Sequence, residues 1–327
     1  MTLQLDALSH VLDRLAEHVV LFRWGDLLFV SFGLFAALGS ALTIALAGSI
    51  LIGQGLEPSK YALLAMTGSV AVVLGSWFAG LALEFRALSK NPVAVLRRPI
   101  FVSWGGVIAL ALVGPGIGPI IDFDGLVILD ALARSALLGH ALGRMGCLSY
   151  GCCFGHATRG ALAITYRNPD AKAVRVGGMQ GVRIHPAPLY EAVSDVVIAA
   201  IVNAAALLGS PVGVPVALAI LLYGVARFLV EFVRDNRGRM IHGPLSVNHA
   251  LALVMAGLGA LMLPVVATAA IPPPEASVVQ ALGALPVVEA SVVQALGALP
   301  VVLAALIPAS LVVFFGFATH RRKVGSW

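Results

Sequence analysis

The sequence predicts an all-α polytopic membrane protein, a bundle of seven helices with an eighth apolar segment near the C-terminus. Hydrophobic residues fill 59% of the 327 positions and charged residues only 11%. Mean hydropathy is +0.96. Apolar runs of about 20 residues, the length a hydrocarbon core requires, recur between short polar breaks. A water-soluble domain cannot bury this much apolar surface. The net charge of +5 is modest and sits mostly in loops. It suits anionic lipid headgroups, and the absence of a basic–aromatic stripe argues against nucleic acid as a partner.

Residues 1–24 form the first element. Leu5, Leu8, Leu12, Leu15 and Val19 share one helical face, which predicts an amphipathic interfacial helix. Asp6, Asp13 and Glu17, with no basic n-region, argue against a cleavable signal peptide. The membrane domain then covers 25–270, with spans beginning near Asp26, Tyr61, Ile100, Leu126, Pro188, Val212 and Ser246. "IDFDG" and "LLGSPVGVP" make short turns between spans 3 and 4 and spans 5 and 6. The long polar, turn-rich stretch from about 147 to 187 predicts a small extramembrane head between spans 4 and 5. "EASVVQALGALPVV" occurs twice in tandem, at 275–288 and 289–302. Two copies are too few for a solenoid and mark a duplication within a segment 271–302. A hydrophobic segment and basic tail close the chain over 303–327, where the eighth apolar run begins near Leu299.

Ionisable residues inside spans are costly and mark cavities or partners. Span 4 carries Asp130, Arg134, His140 and Arg144, which pair at i, i+4 spacing. Span 5 opens with "HPAPLYE", containing His185, Tyr190 and Glu191. Span 6 ends in "YGVARFLVEFVR", where Tyr223, Arg227, Glu231 and Arg234 form a polar stripe. Each pair read alone is compatible with an ion pair that only holds helices in register. Three such helices predict a polar site, and its surplus of arginine points to an anionic, phosphate-bearing ligand.

"GRMGCLSYGCCFG", residues 143–155, holds all three cysteines. Cys147-x4-Cys152-Cys153 lacks C-x2-C spacing, so no metal is expected there. Buried cysteine is most often a small hydrophobe. A reactive thiolate beside Arg144 is the competing reading. Gly143, Gly146, Gly151 and Gly155 speak for close packing and a tight turn after span 4.

The order "GR-x-G…G-x-x-x-G", "HP-x-x-LYE", "YG-x-x-RF-x-x-E-x-x-R" and a downstream "G-x-x-S" resembles the prolipoprotein diacylglyceryl transferase family over residues 20–265. The resemblance implies a seven-span bacterial inner-membrane bundle with a periplasmic head and no cofactor. It also implies transfer of diacylglycerol from phosphatidylglycerol to the lipobox cysteine of a prolipoprotein signal peptide, releasing glycerol phosphate. By the same resemblance Arg144 and Arg227 bind the phospholipid, while Glu231 and Arg234 complete the charged cluster. Tyr190, Glu191, Tyr223 and Gly155 fall in the same motifs as substrate-contacting positions. Basic residues concentrate on the head side, with Lys60 alone opposite. The positive-inside rule would make that side cytoplasmic. The family pattern places it outside, because about half of these charges belong to the motifs or the head.

Some positions differ from the family pattern. Trp104 stands where a histidine is expected before Gly105 and Gly106. Cys147 and Cys152 replace an asparagine and a glutamate of the signature, the span 1 tyrosine is missing from "FRWGDLLF", and Pro244 replaces a glutamine. His185, Glu231 or a cysteine thiolate then stand as replacements for the base. Two further readings follow from these differences. One is an enzyme of the same fold with another acceptor and Cys147, Cys152 or Cys153 in its chemistry. The other is a non-catalytic phospholipid-binding relative.

Overall fold

A computed structural model describes residues 2–96, 101–235, 240–242, 245–269, 303 and 305–321. The tandem repeat lies outside the described residues. Among the described residues, seven helices are long and apolar enough to cross a membrane: α2 (Ser31–Gly53), α3 (Pro58–Leu83), α6 (Ser103–Ile121), α7 (Gly125–Tyr150), α9 (Ala187–Leu207), α10 (Val214–Glu231) and α11 (Val247–Thr268). Helix α1 (Thr2–Glu17) precedes them, α4 (Phe85–Lys90) and α5 (Pro92–Leu96) join α3 to α6, and α8 (Lys172–Arg175) lies in the head. The polytopic all-α class predicted from composition is thus the observed one.

The eighth apolar run contains a shorter helix, α12 (Ala305–Ala318). At 1.5 Å per residue it is about 21 Å long, less than the roughly 30 Å of a hydrocarbon core. It nevertheless packs along the bundle. Ala305 and Ala309 pack with Ile117 and Ile121 at the end away from the head, and Ala318 abuts Gly33 at the head end. Strand β5 (Thr319–Arg321) then pairs with β2 (Leu27–Val30), which also pairs with β1 (Val20–Trp24), giving the order β1-β2-β5. The chain therefore returns to the head side after α12.

The first span starts at Ser31, five residues later than the hydropathy predicts. Gly25 at φ 56° opens a two-residue turn between Trp24 and Leu27, which favours glycine at its first position. The apolar run Leu27–Val30 is consequently spent on a strand. The head likewise begins at Gly151 and not at 147. Helix α7 continues to Tyr150 because head residues bury its last turn, and the Tyr166 hydroxyl donates to the Leu148 carbonyl at 2.6 Å.

Around Tyr166, the head pairs β3 (Ile164–Thr165) with β4 (Arg183–Ile184). Its core joins Ile164, Ile184, Tyr150 and Leu148 to Leu12 and Ala16 of α1. Asp13 accepts from the Thr165 amide at 2.8 Å, and Asn168 donates to the Glu17 carbonyl at 2.7 Å. This part of the α1 apolar face is covered by protein, so it seals the head where the sequence predicts contact with the bilayer interface.

Helix α2 packs along α7, α3 along α6, and α10 along α11. Lipid tails are as apolar as leucine, so association rests on close van der Waals fit between small residues. Gly39 and Gly139 show this: each backbone occupies the space where the other's Cβ would be, and Thr43 crowds Gly139 further. Gly143, one turn on, faces open space. Gly139→Ala is expected to lower the melting temperature in detergent, the overpacking costing about 1–3 kcal/mol. Gly143→Ala should be neutral or stabilising by about 0.5–1 kcal/mol. Thermal unfolding of the two purified variants checks this, and equal effects would refute the contact.

Candidate active site

Helix α7 starts cleanly because Asp124 accepts from the amides of Leu126 and Val127 at 2.7 and 3.2 Å. This N-cap satisfies two of the helix's orphan donors. The register so set carries polar side chains toward α9. Arg134 donates to Asn203 at 3.3 Å, His140 Nδ1 meets Asp195 Oδ2 at 2.8 Å, and Arg144 Nε meets Glu191 Oε2 at 2.6 Å. Asp195 and Glu191 are four apart, as are His140 and Arg144, so antiparallel helices match them rung by rung. The i, i+4 spacing within span 4 thus serves cross-helix contacts to α9. Asp130, beside Arg134, has a further task. Its carboxylate accepts from the amides of Gly213 and Val216 at 2.6 and 3.0 Å, capping the start of α10 at the far end of the bundle.

At the head end, α10 and the turn after it bring two more arginines. Arg234 Nη1 donates to Glu191 Oε1 at 3.1 Å, and Arg227 Nη1 lies 3.8 Å from the same oxygen. Arg227 also pairs with Glu231 one turn on, and Arg234 Nε lies 3.7 Å from Glu231. The second Glu231 oxygen accepts from Ser246 at 2.9 Å and Asn248 at 2.7 Å. Glu191 is 3% exposed and Glu231 1%. Three guanidinium groups against two carboxylates leave this buried cluster one positive charge in excess. An uncompensated buried charge is expensive, so an anion is the natural occupant, and guanidinium forks suit phosphate oxygens.

Gly155 holds Arg234 in place. Its amide donates to the His185 carbonyl at 3.2 Å and the next amide, of His156, to the Val233 carbonyl at 2.9 Å. A Cβ at Gly155 would lie 2.6 Å from both the His185 Cβ and the Val233 oxygen. Only glycine lets these three backbones meet.

Of the sequence-predicted residues, Arg144, Arg227, Arg234, Glu191 and Glu231 form this one cluster. Tyr223 stands beside it, its ring 5.6 Å from that of His140. His185 lies on the head side, its Nδ1 3.1 Å from the Tyr190 hydroxyl. Partial burial, and then nearby His156, hold its imidazole below the usual range, so it is neutral at pH 7. Four residues of the network were not predicted: Asp195, Asn203, Asn248 and His249. Asp195 had a signal, since it falls one turn after Glu191 on the same face. His249 had a weaker one, as the third residue of α11 after Ser246. Its Nδ1 accepts from the Ser246 amide at 3.0 Å, closing a capping box.

The cysteines cluster as well. Gly151 at φ 74° ends α7. The Cys152 amide bonds back to the Cys147 carbonyl at 3.1 Å and the Gly151 amide to Leu148 at 3.3 Å, the paired closure of a Schellman turn. This reversal folds Cys152 and Cys153 back over Cys147, and the three sulfurs all lie within 4.8 Å of one another. Arg144 Nη1 is 3.9 Å from the sulfurs of Cys147 and Cys153. Hydrogen bonds from Cys147 and Cys152, then the charges of Arg234 and Arg144, hold the Cys153 thiol well below the usual thiol range.

Residues 19–265 match the family model described as prolipoprotein diacylglyceryl transferase. Similar proteins carry the name phosphatidylglycerol–prolipoprotein diacylglyceryl transferase. That of Clostridium tetani is 26% identical over 68% of this chain and 87% of its own length. That of Geobacter sulfurreducens is 30% identical over 74% of this chain and 93% of its own, and that of Dehalococcoides mccartyi 31% over 66% and 82%. The matched region takes in every residue of the arginine cluster and the thiol turn beside it, and the chain belongs to the prolipoprotein diacylglyceryl transferase family.

Proposed function

We infer that this multi-pass membrane protein transfers the diacylglyceryl group of phosphatidylglycerol to the cysteine thiol of a prolipoprotein, in the bacterial inner membrane. The observation that carries this reading is the buried positive excess of Arg144, Arg227 and Arg234 around Glu191 at the head end of the bundle. A thiolate sulfur attacks the glycerol carbon bonded to the phosphate oxygen. The carbon–sulfur bond forms as the carbon–oxygen bond breaks, and glycerol phosphate leaves with the bonding electrons. Charge on the phosphate grows along this path, so guanidinium groups fixed in advance in a low-dielectric site stabilise the transition state over the ground state.

Glu191 and Glu231 orient the arginines, and Glu231 is already engaged by two arginines, Ser246 and Asn248. That leaves neutral His185, backed by Tyr190, as the better base for the thiol proton. The lipobox peptide meets the head where Gly155, His185 and Arg234 converge.

Arg144→Ala and Arg227→Ala are each expected to abolish rescue of a strain depleted of its own transferase, with the wild-type gene restoring growth. A well-expressed wild-type protein that fails to rescue refutes the reading. Glu191→Ala should strand the Arg144 guanidinium, leave Arg227 and Arg234 with Glu231 alone, and cost about 3–5 kcal/mol in stability, read as a lowered melting temperature in detergent. The pH–rate profile with phosphatidylglycerol and a lipobox peptide tests His185. Activity should fall as pH drops through a midpoint below about 6.5, the ordinary histidine value, because the base must be unprotonated. His185→Gln should erase that limb, and a limb unchanged in the variant would assign the base elsewhere.

A further inference from the structure

We propose that Cys147, Cys152 and Cys153 form a three-thiolate site for a zinc-class cation, whose remaining coordination position takes the acceptor thiol. Spacing alone argues against a metal here. The Schellman turn overrides that argument by returning the chain onto the last turn of α7. Tetrahedral zinc with bonds of about 2.3 Å places its sulfur ligands about 3.8 Å apart. Sulfurs already within 4.8 Å need shifts of about 1 Å or less to reach this. Cys153 sits at φ 58°, a left-handed conformation uncommon for a residue with a side chain. The turn holds its thiol beside the other two despite this strain.

The electrostatics agree. Three thiols binding a divalent cation lose three protons and leave a complex of charge −1. Arg144, 3.9 Å from two of the sulfurs, and Arg234 favour the thiolate forms. Cys147 is buried and Cys153 partly exposed, giving an ion a way in past Cys153. Among the described residues the group holds no fourth protein ligand. Three protein ligands with one open position is the arrangement of a working zinc site. A thiol entering that position is held as a thiolate. Its proton passes to His185, and its sulfur attacks the lipid held by the neighbouring arginines. This role for the metal rests on the transferase reading, whereas the binding site itself does not.

The test uses the purified full chain in detergent, reduced and stripped of metal. Titration with zinc against a chromophoric chelator should give one ion per chain, and cobalt(II) should give an intense thiolate charge-transfer band. Each of Cys147→Ser, Cys152→Ser and Cys153→Ser should weaken zinc binding at least tenfold. Absence of stoichiometric zinc binding and of the cobalt band in the wild-type chain overturns the site, as does undiminished binding in the triple serine variant. Metal removal should slow transfer to a lipobox peptide by about 100-fold or more while phosphatidylglycerol binding persists, and zinc should restore it. Unchanged turnover in verified metal-free protein overturns the activating role. Failure of transfer in every metal state counts against the transferase reading alone, since stoichiometric zinc binding is measured without lipid.

Discussion

One buried carboxylate organises this protein. Glu191, near the start of α9, pairs with Arg144 on α7, accepts from Arg234 beyond α10, and faces Arg227 on α10. The chain could not bury any of these guanidinium groups alone, since an isolated charge in a low-dielectric interior costs several kcal/mol. Together they settle the depth, rotation and spacing of three helices at the head end. The same cluster that orders the helices leaves a positive charge over, so structure and ligand preference come from one set of contacts.

The head follows from how α7 ends. Gly151 turns the chain, Tyr166 takes the Leu148 carbonyl, and α1 covers the hydrophobic face that results. Gly155 then brings the His185 and Val233 backbones together. This is the route by which a polar loop determines the position of Arg234. It also gathers the thiols, because the reversal that starts the head is the one that returns Cys152 and Cys153 to Cys147.

Several elements were legible from residue pattern. Runs of apolar residues identified every long helix, because the bilayer length is a strong constraint and needs no knowledge of neighbours. The arginines and glutamates of the cluster were legible for the converse reason, being expensive where they stand. Asp130 stands beside Arg134, as its spacing predicts, but its role in capping α10, 83 positions away in sequence, was not legible. Leu27–Val30 reads as the start of a span and is a strand, because its partner Thr319–Arg321 lies at the opposite end of the chain. Asn248 and His249 carry no periodic signal, and become part of the network only when α11 begins beside Glu231.

The sequence by itself therefore determined the membrane class, the seven spans and the charged residues of the site, since hydropathy and the cost of buried charge are properties of each segment. Only the tertiary structure decided which carboxylate holds which arginine, where the head begins and that α12 returns the chain to the head side. It also turned Cys147-x4-Cys152-Cys153 into a cluster of three sulfurs. These depend on contacts between segments far apart in sequence, or on a turn whose backbone angles reverse the chain, and neither is written in local periodicity.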